Sequence, residues 1–347
     1  MSQENAYRPL LGITMGDPGG IGPEICAKAL DSPEIYDLCR PLVIGETDIM
    51  ADAVSFSGLS LDIAPVDNIE TAPYRHGAID VLSLGMLRLS ELQLKTVSAA
   101  QGLASFTYIE RAIELAMAGT IDGTVTGPIN KAAINAAGLN YAGHTEIYGE
   151  KTGTRDYTMM LADGPFRVTH VSTHVSLREA CDRVTSARVL AVIKLTHDTL
   201  RQLGIARPHI AVAGLNPHCG EGRLFGDEDE LEIAPAVQAA KKEGIDADGP
   251  IPADTVFSKM RGGFYDAVVV MYHDQGHIPA KLVGFNYNHA TGSWDQMAGV
   301  NVTLGLPIIR TSVDHGTAFG KAGEGRANPQ SMLEAIKLGA QLAAGRR

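Results

Sequence analysis

Residues able to do chemistry gather where apolar runs stop. Ala267-Val268-Val269-Val270 is a β-branched run of the kind that fills a strand buried on both faces, and Met271-Tyr272-His273-Asp274-Gln275-Gly276 follows it at once. Lys281 stands eight positions beyond His273. An imidazole, a carboxylate and an amide at a strand end have the placement that open α/β sheets give to their active sites. One histidine in such a turn is ordinarily structural, but the chain repeats the pattern twice. Residues 166–171 run into Ser172-Thr173-His174, and residues 209–214 run into Leu215-Asn216-Pro217-His218. Three imidazoles from separate elements around open positions suit a catalytic zinc or related divalent ion, on His174, His218 and His273. His170 and His209, inside or at the start of their strands, read as structural, and His76, His197 and His289 have no comparable setting.

Stepping from strand to strand, the intervening segments must bring these histidines together. Residues 187–203 read as a helix with Val189, Ile193, Leu200 and Leu203 on one face, and residues 229–243 as another. Strand, helix, strand in alternation predicts parallel strands whose carboxyl ends share one edge. Upstream, residues 10–14, 41–45 and 122–126 read as strands, and 47–56, 96–119 and 129–137 as helices. The longest of these helices carries Leu103, Phe106, Ile109, Ile113 and Ala116 at helical spacing. The turn Asp17-Pro18-Gly19-Gly20-Ile21-Gly22-Pro23-Glu24 places Pro23 in a first helical turn but lacks the GxGxxG spacing of a Rossmann fingerprint.

Two stretches suit anions. Gly143-His144-Thr145-Glu146 opens a helix whose free amides could serve an anionic ligand, although an ordinary cap by Thr145 reads the same residues. Arg310 ends the apolar run that includes Leu306 and Ile309, and its fork suits a phosphate or carboxylate. The tail then turns glycine-rich and polar from Ser312 to Phe319 and from Gly323 to Pro329, before a helix over 330–344.

Composition limits the class. The 347 residues, 45% hydrophobic with 5% aromatic, are enough for two ordinary domains with aliphatic cores. A net charge of −11 argues against nucleic acid or an anionic membrane as partner, but not against a small anion in a local cationic pocket. Cys26, Cys39, Cys181 and Cys219 show no paired spacing, which suits a reducing, cytoplasmic setting. No basic region with an apolar core opens the chain, and no apolar run reaches the ~18 residues that span a bilayer.

Taken in order, Asp17 to Glu24, Gly143 to Glu146, Asn216-Pro217-His218, Tyr272 to Gly276 and Asn301 through Gly316 resemble the 4-hydroxythreonine-4-phosphate dehydrogenases. The stretch from His315 through Asn328 also resembles the adenosine-binding loop of isocitrate and isopropylmalate dehydrogenases. The resemblance implies an α/β protein of two α/β/α domains with a cleft between them. The domains are drawn at residues 1–140 with 305–347, and 141–304. It implies a homodimer with shared active sites, each with one divalent metal (zinc first, magnesium, manganese or cobalt otherwise) on His174, His218 and His273. Substrate positions would be His144, Thr145, Lys281, Asn301 and Arg310, with Lys281, Asp254 and Asp274 as catalytic groups. NAD or NADP would meet His315, Gly316, Thr317, Ala318 and Asn328. The implied reaction oxidises the C3 hydroxyl of a small anionic, 4-phosphorylated hydroxy acid and releases CO2.

One departure bears on the substrate. A long loop over 285–298, with the sole tryptophan Trp294, separates Lys281 from Asn301, as in the branch acting on D-threonate or D-erythronate 4-phosphate. A related enzyme oxidises terephthalate dihydrodiol, which carries no phosphate. The rivals from other classes are a metal-dependent hydrolase, acyl transfer to phosphate and a sugar-phosphate sensor. The hydrolase leaves the tail loop without a role, and the other two do not need three histidines.

Overall fold

The structure is a computed structural model describing residues 7–288, 293–297 and 299–346. In chain order the strands are β1 (Leu10–Thr14), β2 (Arg40–Gly45), β3 (Asp62–Pro65), β4 (Ala78–Ser83), β5 (Gly123–Thr126), β6 (Thr158–Asp163), β7 (Phe166–His170), β8 (His209–Ala213), β9 (Asp246–Ile251), β10 (Ala267–Val270), β11 (Phe285–Asn288), β12 (Ser293–Met297), β13 (Val300–Leu304) and β14 (Arg310–Val313). The helices are α1 (Gly22–Leu30), α2 (Pro33–Leu38), α3 (Thr47–Phe56), α4 (Ala99–Met117), α5 (Lys131–Ala136), α6 (His144–Lys151), α7 (Leu177–Asp182), α8 (Ser186–Gln202), α9 (Ala234–Lys242), α10 (Ala253–Arg261), α11 (His273–Gly284) and α12 (Gln330–Gly345). The fold is mixed α/β, and the chain divides into two compact units, Met1–Arg155 with Leu306–Arg347, and Asp156–Gly305.

The first unit carries a parallel sheet in the order β3-β4-β2-β1-β5-β14. Its boundary lies beyond residue 140, so α6 falls in this unit and not in the second. The reason is burial: Ile147 and Tyr148 of α6 pack with Phe106, Ile109 and Ile113 of α4. Leu103 departs from the expected helix face and is 43% exposed. The backbone of α5 rests on Gly102, where an added Cβ would stand 2.1 Å from the Ala133 carbonyl oxygen. A residue one step on is turned about 100° away from that contact.

The second unit orders its sheet β13-β6-β7-β10-β8-β9. β7, β10, β8 and β9 are parallel, and β6 runs antiparallel to both neighbours. The alternation of strands and helices in the sequence therefore gives the parallel set it predicts. Every residue of β10 is fully buried. Val168, Ala211, Val268 and Val270 form one core with Val256 and Met260 of α10. The four expected apolar positions of α8 are all buried. The helix read over 229–243 opens with a wide π turn, Asp229–Ile233, before α9. The segment after Lys281 is a hairpin and not an irregular loop, because β11 and β12 pair antiparallel. Residues 289–292 with His289, Ala298 and the side chain of Trp294 lie outside the described residues.

Candidate active site

The second unit positions its histidines at adjacent strand ends. His174 follows β7 by four residues, His273 opens α11 directly after β10, and His218 lies in the Pro217–Gly220 turn after β8. In the sheet β10 lies between β7 and β8, so the three ends are neighbours. The rings of His174 and His273 stand 5.8 Å apart, centre to centre. Both border a cleft of about 640 Å³ with Thr173, Leu177, Tyr272 and Asp274. His273 Nδ1 lies 2.7 Å from Asp274 Oδ1, a bond that orients the ring and leaves Nε2 toward other ligands. His218, on left-handed backbone (φ 53°), is exposed and does not line this cleft. Among the described residues no three of His, Cys, Asp and Glu stand close enough to hold a metal ion. The donor chemistry fits such an ion, with two imidazoles at one cleft and one of them oriented by a carboxylate.

A set of polar residues that the sequence reading passed over ties the strand ends together. The Met271 carbonyl accepts from the amide of Ser172 at 3.3 Å and from its hydroxyl at 2.9 Å, joining β10 to the β7 end. The Met271 amide donates to Gln275 Oε1 at 2.7 Å, and Gln275 Nε2 donates to the Gly214 carbonyl at 2.7 Å, joining β10 to the β8 end. Buried Asp229 then accepts from the amides of Leu215 at 2.8 Å and Asn216 at 3.0 Å, holding the turn that carries His218. Gln275 stood inside a quoted motif, but only the sheet order shows what it joins. Replacing Gln275 by leucine leaves two buried backbone groups without their partner, an expected loss of about 3 kcal/mol by urea denaturation. Divalent-ion affinity should fall about 10- to 100-fold, as when other supports of metal ligands are removed. An unaltered Gln275→Leu protein on both measures would show that the bridge holds nothing in place.

Beneath the cleft the rings continue inward. His273 stacks on His277 at 3.6 Å, and His277 lies 4.9 Å from His170. His170 is fully buried in β7, with Nδ1 3.2 Å from the Met159 carbonyl, and burial pushes its pKa down to about 3. It is the structural histidine that its position suggested. So is His209, bonded to Asp248 and the Phe264 carbonyl. α11 approaches so closely that a Cβ on Gly276 would stand 2.5 Å from His170 Nε2.

The remaining second-unit candidates are spread. Lys281 Nζ lies 4.5 Å from the Phe285 ring centre. Asn301 on β13 donates through Nδ2 to Met159 Sδ, and its Oδ1 is buried with no hydrogen-bond partner among the described residues. Asp254 is exposed in the first turn of α10; burial first, then the charges of Asp229 and Asp254, raise the Cys219 thiol's pKa, so Asp254 lies near the His218 turn.

The first unit holds an anion-type arrangement. Arg310 opens β14, is 3% exposed, and reaches forward so that Nη2 donates to Thr126 Oγ1 at 3.1 Å. Its guanidinium stands 5.4 Å from the Tyr148 ring centre, and burial lowers its pKa to about 10. Tyr148 is fixed in turn by donating to Thr124 Oγ1 at 3.0 Å. At the start of α6, burial first, then the charges of Arg310 and Lys131, hold His144 well below its ordinary pKa. His144 Nε2 is buried without a hydrogen-bond partner among the described residues. Thr145 lies beside it in the first turn, and no side chain caps the helix. A neutral imidazole, a buried guanidinium and a free helix start can receive an anion.

The tail candidates follow β14. His315 bonds through Nδ1 to the Gly316 carbonyl, Thr317 is 9% exposed, and Ala318 takes a left-handed conformation. Asn328 Oδ1 accepts from the Gln330 amide at the start of α12.

Imidazoles at the carboxyl ends of parallel strands in the second unit, and a buried arginine with a neutral histidine in the first, are polar groups of the kind an α/β enzyme carries. The sequence model described as "Pyridoxal phosphate biosynthetic protein PdxA" matches residues 37–339. The chain is 46% identical over 336 residues to the 4-hydroxythreonine-4-phosphate dehydrogenase of Geobacter metallireducens, covering 97% of this chain and 96% of that one. It is 45% identical over 341 residues to the D-threonate 4-phosphate dehydrogenase of Cupriavidus necator, with 98% and 99% covered. The crystal structure of a 4-hydroxythreonine-4-phosphate dehydrogenase from Burkholderia phymatum superposes with a TM-score of 0.83 at 44% identity, covering 97% and 98%. The chain belongs to the PdxA family and is a dehydrogenase, which sets the hydrolase, acyl-transfer and sensor readings aside. Among the described residues no helix is long and apolar enough to cross a membrane.

Proposed function

We propose that the enzyme oxidises the C3 hydroxyl of a 4-phosphorylated hydroxy acid with NAD(P)+ and that the β-keto acid formed loses CO2. The observation that carries the reading is the buried Arg310 beside a neutral His144 in a chain so similar to two phosphorylated-substrate dehydrogenases. Arg310, His144, Thr145 and the α6 amides hold the phosphate. Lys281 takes the hydroxyl proton or holds the carboxylate, and Asn301 orients the substrate through its buried side-chain oxygen. His174, His218 and His273 hold a divalent ion, zinc first, with Asp274 fixing the His273 ring. When bound, such an ion lowers the pKa of the substrate hydroxyl and polarises the ketone that replaces it. A nicotinamide dinucleotide would supply the hydride acceptor, and the segment from His315 to Ala318 with Asn328 would hold its adenosine half.

The substrate of this reading is D-threonate or D-erythronate 4-phosphate, favoured over 4-phosphooxy-L-threonine by the β11–β12 hairpin between Lys281 and Asn301. A buried site fitted to a 2-hydroxyl disfavours a 2-ammonium group by up to ~10⁴-fold. Values of kcat/KM for the three compounds, before and after the hairpin is shortened, test it. A win for the amino acid in the intact protein defeats the branch assignment.

The site is further proposed to be shared across a homodimer. Exposed Leu177 borders the histidine cleft, and exposed Ile278 and Leu282 lie on α11, the helix that His273 opens; they offer apolar surface to a second copy. His218 lies outside the cleft that His174 and His273 border, so mixing inactive His218→Ala and His273→Ala proteins should then restore about a quarter of wild-type activity, one intact site in each heterodimer. No recovery in demonstrated heterodimers would place each complete ligand set within one chain.

A further inference from the structure

The turn from Asp17 to Glu24, with the α1 helix it opens, is the motif that the functional reading leaves unused. Glu24 is fully buried in the first turn of α1, and Lys28 lies one turn later with its Nζ 2.8 Å from Glu24 Oε1. Both side chains are spent on a segment some three hundred residues away. Lys28 Nζ donates to the carbonyls of Gly325 at 2.8 Å and Ala327 at 2.9 Å. The Ala327 amide donates to Glu24 Oε1 at 2.6 Å. The same turn grips the other half of the tail, since the Ile21 amide donates to the Thr317 carbonyl at 3.0 Å. Gly20 lies so near that an added Cβ would stand 2.8 Å from Thr317 Cβ and from its carbonyl oxygen.

One short stretch of chain therefore holds both polar tail segments, 315–318 and 325–328. A segment with Gly320, Gly323 and Gly325 has much backbone freedom to lose, and something must fix it. The lysine uses all three of its donors there, which offsets the desolvation of its charge. A buried ion pair contributes little net stability compared with apolar residues of the same size. What it does supply here is geometry, because two carbonyls and one amide of the tail are bound to fixed points on α1.

We propose that Glu24 and Lys28 are a positioning pair that sets the shape of the dinucleotide-binding loops, a proposal resting on the assignment of 315–318 and Asn328 to the cofactor. Neither residue touches the dinucleotide. The test is fluorescence titration with NADH and NADPH, alongside steady-state kinetics, on Lys28→Met, Glu24→Gln and Lys28→Arg. Loss of charge-assisted bonds that shape the loop should weaken dinucleotide binding and raise its KM about tenfold or more. Turnover at saturating dinucleotide and the KM of the acid substrate should hold. Lys28→Arg, which keeps the charge and donors, should fall between wild type and Lys28→Met and remain folded by thermal melt. Unchanged dinucleotide affinity in Lys28→Met, or an equal fall in kcat with no change in KM, overturns the positioning pair alone. Unchanged affinity in His315→Ala and Asn328→Ala, measured in parallel, overturns the loop assignment and the proposal with it.

Discussion

Replacing Arg310 by methionine is expected to lower kcat/KM about a thousandfold and, at the same time, to make the folded protein more stable. The two effects have one origin. Burial pushes the guanidinium down to about 10 from its ordinary value near 12.5, so at neutral pH the fold carries a charge it does not solvate well. That shift weighs against folding by about 3 kcal/mol, and the lost bond to Thr126 and the lost ring contact with Tyr148 return most of it. The net gain in the variant is therefore no more than about 1 kcal/mol, read as a slightly higher urea midpoint. For an arginine kept to bind an anion, such a cost is expected; for a structural one it is not. A variant with wild-type kcat/KM would move the anion site elsewhere, and a markedly less stable variant would make Arg310 structural.

Changing His273 to alanine should empty the proposed metal site of the purified protein and lower turnover about a thousandfold, the weight of several kcal/mol of charge stabilisation. His273 is the imidazole with the most support, held by Asp274 through Nδ1, stacked on His277 and facing His174 across the cleft. Because the residue is part-exposed, the melting temperature should move little. On the proposed ligand set, His218→Ala should behave alike despite its separate turn. Elemental analysis gives the metal content, and full occupancy with full activity in either variant would remove that histidine from the ligand set. Were activity lost with the metal retained, His273 would act on substrate directly.

Much of this was legible from residue types alone. Runs such as Ala267 to Val270 are buried because a strand between two neighbours has no polar face to offer, and the chemistry then has to begin where the run ends. Alternation of such runs with amphipathic helices predicts that β7, β8 and β10 run parallel with their carboxyl ends on one edge, and the sheet order, β10 between β7 and β8, then makes the three histidine-bearing ends neighbours. The sequence reading puts α6 in the domain over 141–304, and the structure puts it in the first unit. Only the core it joins, with Phe106 and Ile109, shows where Tyr148 belongs.

What the sequence by itself determined is therefore the set of chemical groups and the strand ends that carry them. Periodicity reports which side of an element is buried, and composition reports what waits at its tip. The tertiary structure alone decided which groups share charge and hydrogen bonds across long separations. Gln275 spans from Met271 to Gly214, Lys28 reaches Gly325 and Ala327, and Arg310 acts on His144 from another element. Such couplings depend on distance and on exclusion of water, and neither is written in the local order of residues.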